Sequence, residues 1–413
     1  MSNCLGCGYS VETLLDFGQM PIANGFLKED EFKNEPFFPL NVGFCSECAL
    51  VQLTEVVDPS KLFHEEYAFF ASMSVRMREH FREMAVQVTE LIKTQPDPFV
   101  VEIGSNDGIM IRNFAEAGVR HLGIEPSENV AEEARRNGVD TKCCFFGLDE
   151  AQEILNEHGP ASVVLGANVF SHIEDIHSVF AGIKLLLADD GVFMFEEPYV
   201  GEVVAKTAYD QFYDEHVFYF CLSSLDNLFA SHGLSIVDAQ VQDVHGGSMR
   251  YTVAKSGALQ PSERLAGLKA REESLGLDRM DTFQAMKDRV LASKEQLVTL
   301  LKKLKQDGKR VVGYGATSKS TTVTNFCGIG PDLIEFISDT TPIKQNKFSP
   351  GTHIPVKPYN AFTEDYPDYA VLFAWNHGEE ILTKEEPFLK QGGRFITFVP
   401  DVRILDYPSS ADD

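Results

Sequence analysis

Val100-Val101-Glu102-Ile103-Gly104-Ser105-Asn106-Asp107-Gly108 is the stretch that decides how this chain folds. Its first half is apolar and β-branched, as a buried strand requires, and its second half is a glycine and Asx turn. A helical pattern follows over Ile109–Ala117. A strand that ends in such a turn and feeds a helix opens a nucleotide-binding parallel sheet, because glycines let the backbone approach a ligand at the strand's carboxyl end. The turn is neither G-x-G-x-x-G nor a Walker loop with its lysine. Glu125, 23 positions beyond Glu102 at the end of the next apolar run, suits a ribose diol. No pyrophosphate cradle accompanies it, so an adenosine without phosphates is favoured. S-adenosylmethionine fits, since acidic loop residues suit its ammonium group.

Outward from this unit the pattern repeats. Apolar runs at Phe99–Ile103, His121–Ile124, Ser162–Leu165 and Val192–Phe195 alternate with helical segments, which predicts a parallel sheet with crossover helices. Leu234–Val241 and Ser248–Val253 flank Gly246-Gly247 and can pair as antiparallel strands. Ser74–Lys93 reads as an amphipathic helix leading into this domain, and Pro261–Lys305 as one or two helices linking it to the next. Arg310–Gly313, Leu333–Ser338, Tyr369–Phe373 and Gly393–Phe398 form a second βα series.

Ahead of the sheet lies a short module with strand-like runs at Val11–Phe17, Pro39–Phe44 and Leu50–Leu53. So small a unit needs a staple. Cys4-x-x-Cys7 and Cys45-x-x-Cys48 supply it, since two such knuckles give zinc four soft ligands in a tetrahedron. Four thiolates leave no open position, so the site is structural. Cys143, Cys144, Cys221 and Cys327 lack metal spacing, and buried packing is expected of them.

Composition narrows the partners. A formal net charge of -26 argues against nucleic acid or an anionic membrane, though not against one anionic small molecule in a local basic pocket. No apolar run approaches the ~20 residues of a membrane span. Eight cysteines without a secretory signal read as thiols and metal ligands. A cytoplasmic protein is expected, monomeric or weakly oligomeric.

Several motifs together resemble the sugar-nucleotide C-methyltransferases of branched-deoxysugar biosynthesis. They are the two knuckles, Glu102–Gly108, Gly123–Ser127, Asn168-Val169-Phe170-Ser171-His172-Ile173, Tyr213-Asp214-Glu215-His216, His245-Gly246-Gly247-Ser248-Met249-Arg250 and Gly313-Tyr314-Gly315-Ala316-Thr317-Ser318-Lys319. The resemblance spans almost the whole chain, in the right order. One departure is visible, since the family often has His where Asp214 stands. The resemblance implies an α/β protein with a zinc-binding module (1–65), a central Rossmann-like class I methyltransferase domain (66–256) and a second Rossmann-like domain (306–413); the helical linker (257–305) is read from composition, and the lysines of the last domain in an acidic chain give it the sugar nucleotide. It also implies methylation, by S-adenosylmethionine, of a carbon beside the ketone of a nucleoside-diphosphate 4-keto-6-deoxysugar, commonly C3, with dTDP as the expected carrier.

Carbon methylation needs a carbanion equivalent, and a ketone makes the adjacent C–H acidic enough for a side-chain base. His216 is the candidate base, as its ordinary pKa lies near neutrality. Glu215 or Tyr213 would orient it or contact the sugar. By resemblance, Tyr67 and His172 line the pocket and stabilise the enolate oxygen. Glu102, Gly104, Asn106, Gly108, Glu125 and Asn168 are the expected cofactor contacts. Gly313-Tyr314-Gly315-Ala316 looks like a second nucleotide turn, with Lys319 about one helical turn on and Lys344 nearby as phosphate ligands. Tyr314, Phe326 and Trp375 are candidates to stack on a base, with core packing the favoured reading for each. Three other readings remain open. They are an O- or N-methyltransferase using the same loop, a non-catalytic zinc-ribbon binding protein, and an NAD enzyme using Gly313–Ala316, for which no ribose-binding acid is evident.

Overall fold

The computed structural model describes residues 2–58, 62 and 71–405. Tyr67 lies outside the described residues. The central sheet has seven strands in the spatial order Leu234–Gln242, Ser248–Lys255, Leu187–Pro198, Ala161–Ala167, Phe99–Ile103, Arg120–Ile124 and Thr141–Lys142. The last five of these run parallel, and Ser248–Lys255 is antiparallel to both its neighbours. All five residues of Phe99–Ile103 are buried, as a central parallel strand covered on both faces must be. The short edge strand Thr141–Lys142 carries no apolar run and is not visible from periodicity.

Helix Val75–Ile92 leads into this sheet, capped by Ser74, whose hydroxyl accepts the Met77 N–H. It buries Met77, Phe81, Met84, Ala85, Val88 and Ile92, one face at helical spacing. The second parallel sheet runs Val356–Pro358, Ile337–Asp339, Val311–Tyr314, Tyr369–Leu372, Arg394–Thr397, with Arg403–Leu405 antiparallel at the edge. Between the sheets lie helices Glu263–Leu275 and Met280–Gln306. They are packed against the body of the protein. Glu272 accepts the Leu222 and Ser223 N–H groups at the start of helix Leu222–His232, and Phe283 packs on Phe44 with ring centroids 4.7 Å apart.

The N-terminal module differs from a self-contained unit. Its strands Glu12–Pro21, Phe37–Cys45 and Leu50–Leu53 are antiparallel, but the fourth strand of the sheet is Phe218–Tyr219. Gln52 pairs with Phe218 and Val51 with Tyr219, and the Leu53 N–H donates to Val217 O at 2.8 Å. Every residue of Leu50–Leu53 is buried, so this strand cannot stand as an open edge. One hydrophobic core runs through all three sheets. Among the described residues no helix is long and apolar enough to cross a membrane.

Candidate active site

The four cysteines converge. Their sulfurs all lie within 4.8 Å of one another, with Cys4 and Cys48 3.5 Å apart and Cys7 and Cys45 likewise 3.5 Å apart. A tetrahedron of Zn–S bonds near 2.3 Å has sulfurs about 3.8 Å apart, so the sulfur-only set fits one structural zinc ion.

At the cofactor turn, Gly104 has φ +66°, and a Cβ there would overlap Val169 Cγ2 and stand 2.9 Å from its Cγ1. The Gly104 and Ser105 N–H groups donate to Ile124 O at 2.8 and 3.0 Å, which folds the turn over the end of the neighbouring strand. Glu125 holds that turn by accepting the Asn106 N–H at 3.0 Å and the Ser127 N–H at 2.8 Å. Burial raises its pKa, and burial holds Glu102 well above the usual carboxylate range. Asn106 accepts the Ala71 N–H and Asp107 the Ser72 N–H, at 2.9 and 3.1 Å. Asn168, at φ +54°, donates its N–H to Glu196 O at 2.8 Å. Buried oxygens of Glu102 and Asp107 lack a hydrogen-bond partner among the described residues. Acidic groups with unused acceptors, around a glycine that leaves room at the backbone, fit a compact cationic cofactor such as S-adenosylmethionine. Glu102, Gly104, Asn106, Gly108, Glu125 and Asn168 would hold it.

The histidines meet beyond the neighbouring strand ends. Tyr213 and His216 share a hydrogen bond between the hydroxyl and Nε2 at 2.8 Å, and the His216 ring stacks on His172 with centroids 5.1 Å apart. His216 is buried, and burial together with the nearby His172, Lys319 and His245 holds its pKa well below the ordinary value. Burial pushes His172 down to about 4. Both imidazoles are therefore neutral at pH 7, able to accept a proton or to donate an N–H.

Asp214 and Glu215 turn the other way. Asp214 accepts the Ala23 N–H at 3.1 Å, and Glu215 accepts from Asn24 Nδ2 at 2.7 Å. Burial pushes Asp214 up to about 8 and raises Glu215. Glu215 therefore braces the N-terminal module, and Tyr213 is the residue bonded to the His216 ring.

From the C-terminal domain comes Lys319, in the first turn of helix Ser318–Cys327, whose Thr317 cap accepts the Ser320 N–H at 3.2 Å. Burial lowers its pKa, partly offset by Asp210. Asp210, pushed up to about 6 by burial, accepts from Trp375 Nε1 at 2.6 Å and so ties the two large domains together. The charge of Lys319 also bears on His216, His245 and His377, which puts it at the histidine pocket.

Tyr314 and Phe326 pack in the core, and Lys344 is engaged by the backbone of the second turn. Tyr314 is buried in the far core against Phe362 and Phe395 and donates to Glu385 at 2.7 Å, because the alternation of its strand turns it away from the cleft. Phe326 packs on Phe17. Lys344 Nζ donates to Ala316 O at 2.9 Å and sits over Phe26, so it braces the nucleotide turn rather than standing in open cleft.

Sequence reasoning missed Asp339, at the end of strand Ile337–Asp339. It accepts the Ala316 N–H and the Thr341 N–H, each at 2.7 Å. Glu125 makes the same pair of bonds, one to the glycine turn after the first strand and one to the backbone two residues beyond itself. The available signal was its place, an acid closing the second strand of a βα series. Glu197 was also missed, and it accepts the Val169 and Phe170 N–H groups at 2.9 and 2.7 Å.

Comparison with known proteins covers the chain in three parts. A zinc binding domain model matches residues 4–63, a methyltransferase domain model 77–239, and a C-methyltransferase C-terminal domain model 243–400. The C-methyltransferase NovU of Streptomyces niveus is 37% identical over 415 residues, covering 99% of this chain and 98% of that protein. Among solved structures, the magnesium protoporphyrin IX methyltransferase of Synechocystis PCC 6803 with bound SAH is 16% identical, with a TM-score of 0.35 over 46% of this chain and 88% of that one. An S-adenosylmethionine-dependent methyltransferase of Clostridium acetobutylicum is 13% identical, with a TM-score of 0.35 over 44% of this chain and 92% of that one.

Proposed function

This chain belongs to the S-adenosylmethionine-dependent C-methyltransferases, and we propose that its acceptor is a nucleoside-diphosphate 4-keto-deoxysugar, methylated at the carbon beside the ketone. C3 is the expected carbon and dTDP the expected carrier. The observation that carries this reading is the neutral His216, bonded to Tyr213, stacked on His172 and facing Lys319 from the second nucleotide-type domain.

S-adenosylmethionine, when bound, supplies an electrophilic methyl group. His216 takes the proton from the carbon beside the ketone, leaving an enolate. A neutral imidazole is the accepting form, and its burial keeps water from competing for the proton. Tyr213 fixes the ring through the 2.8 Å hydrogen bond. His172, neutral as well, stabilises the enolate oxygen by hydrogen bonding as charge develops there. Lys319 supplies the local positive charge that an anionic diphosphate needs in a chain of net charge -26. Asp339, bonded as Glu125 is, suits the pentose of the nucleotide. A cleft between two domains is a common place for such a ligand. Thiols and a sulfur-only metal site favour a reducing, cytoplasmic setting, and the acidic balance favours a small-molecule substrate over nucleic acid.

The test is product NMR after incubation with S-adenosylmethionine and a dTDP-4-keto-6-deoxysugar. The expected result is a new C-methyl signal at a carbon that has lost its proton. An O-methyl or N-methyl signal, or no transfer to any sugar nucleotide tried, overturns the reading.

A further inference from the structure

We infer that Glu197 is a positioning residue that sets both the cofactor turn and the histidine pair, a role that rests on the proposed part of His172 in the reaction. Glu197 is the penultimate residue of strand Leu187–Pro198 and is fully buried. Its Oε1 gathers the N–H groups of Val169, Phe170 and Ser171 at 2.9, 2.7 and 3.4 Å. These are the residues immediately before His172.

Val169 closes over Gly104, where a Cβ would overlap it. Phe170 is fully buried and stacks edge-on against Phe193 and Phe195, so it anchors the segment from below. His172 follows and stacks on His216. One carboxylate therefore holds a four-residue turn whose front touches the cofactor loop and whose end faces the proposed base. The turn is short, and Asn168 at its start sits at φ +54°, so local propensity does not hold it. Burial pushes the pKa of Glu197 up to about 7, opposed by its hydrogen bonds from the 169–171 turn. Tyr251 is a titratable group near it. The Ser171 side chain and the backbone N–H groups of Val169, Phe170 and Ser171 together compensate the carboxylate, and the compensation works only while the turn keeps its shape.

The test compares Glu197→Met, which keeps the length and removes the acceptors, with Glu197→Gln, which keeps one carbonyl acceptor. Glu197→Met is expected to lower kcat by about tenfold or more, because small misplacements of reacting groups are costly. It should also weaken S-adenosylmethionine binding several-fold, while thymidine diphosphate, bound through Lys319 and Asp339, keeps its affinity within about twofold. Glu197→Gln should recover most of the lost kcat. Loss of all three properties together, or of none, overturns the assignment. If Glu197→Met fails to fold, the wild-type amide protons decide. Those of Val169 and Phe170 should resonate downfield and move as the carboxyl titrates, and ordinary, pH-independent positions overturn the role. If thymidine diphosphate binds neither wild type nor variant, the nucleotide site proposed above is refuted instead, and the amide signals still decide the part of Glu197.

Discussion

Replacing Gly104 by alanine tests the cofactor turn most directly. Two separable penalties apply. The backbone sits at φ +66°, where a Cβ crowds the following carbonyl at a cost of about 1–2 kcal/mol. The new methyl would also overlap Val169 Cγ2 and stand 2.9 Å from Cγ1, far inside van der Waals contact. Overpacking of this kind costs about 1–3 kcal/mol. Gly104→Ala should therefore destabilise the protein by about 2–5 kcal/mol, or move the turn and lose cofactor affinity by a comparable amount. A double-mutant cycle separates the parts. In a Val169→Ala background the overlap is relieved, so Gly104→Ala should cost only the backbone term of about 1–2 kcal/mol. Chemical denaturation and calorimetry of S-adenosylmethionine binding read both quantities. If the single variant lies within about 0.5 kcal/mol of wild type in stability and affinity, or if the penalty is the same in both backgrounds, the close packing of Val169 on this turn does not govern it.

Other expectations follow from the same geometry. His216→Asn should lower turnover by about 10²–10⁴-fold while calorimetry shows intact cofactor binding, and a loss under tenfold would move the base elsewhere. Asp210→Asn should gain stability relative to wild type as pH rises. The wild-type carboxyl, at about 6 in the fold against 3.8 ordinarily, is penalised once ionised, so the gap opens between roughly pH 4 and 6 and reaches on the order of 3 kcal/mol above it. Denaturation midpoints that do not diverge across that range would refute the buried-acid account. X-ray absorption on the purified protein should show a zinc shell of four sulfurs near 2.3 Å, and nitrogen or water in the shell would contradict a closed structural site. Lys319→Ala should raise the KM for the sugar nucleotide and leave S-adenosylmethionine affinity unchanged. Equal KM values in variant and wild type would remove Lys319 from the diphosphate.

Much of the fold was legible where one rule acts alone. The buried strand Phe99–Ile103, the glycine turn behind it and the capped helix Val75–Ile92 follow from local pattern, and the two knuckles announce a metal through spacing. The rest depends on partners far apart in the chain. Glu215 stands beside His216 in sequence, yet bonds Asn24, 191 residues away. Tyr314 sits in a motif that looks like a ligand turn, but strand alternation sends its side chain into the opposite core. Asp339 and Glu197 are single acids whose meaning comes from the backbone N–H groups brought to them, and no periodicity encodes that meeting. Phe218–Tyr219 is a two-residue strand, too short to register as one until its neighbour is known.

That short strand has a consequence for how the protein is made. The ribosome delivers Cys45, Cys48 and the buried strand Leu50–Leu53 about 165 residues before Phe218–Tyr219 appears. At about 5–20 residues per second, the nascent N-terminal sheet waits roughly 10–30 seconds with its apolar edge uncovered. Metal capture by the knuckles is available throughout that interval and edge pairing is not, so the ion would hold the unfinished sheet in register. A fragment cut near residue 65 keeps that edge bare for its whole life, a template for joining other copies of itself. The chain must extend through the segment carrying the proposed base His216 before the edge is sealed, so metal capture and sealing of the edge are separate steps in biogenesis, the first possible long before the second.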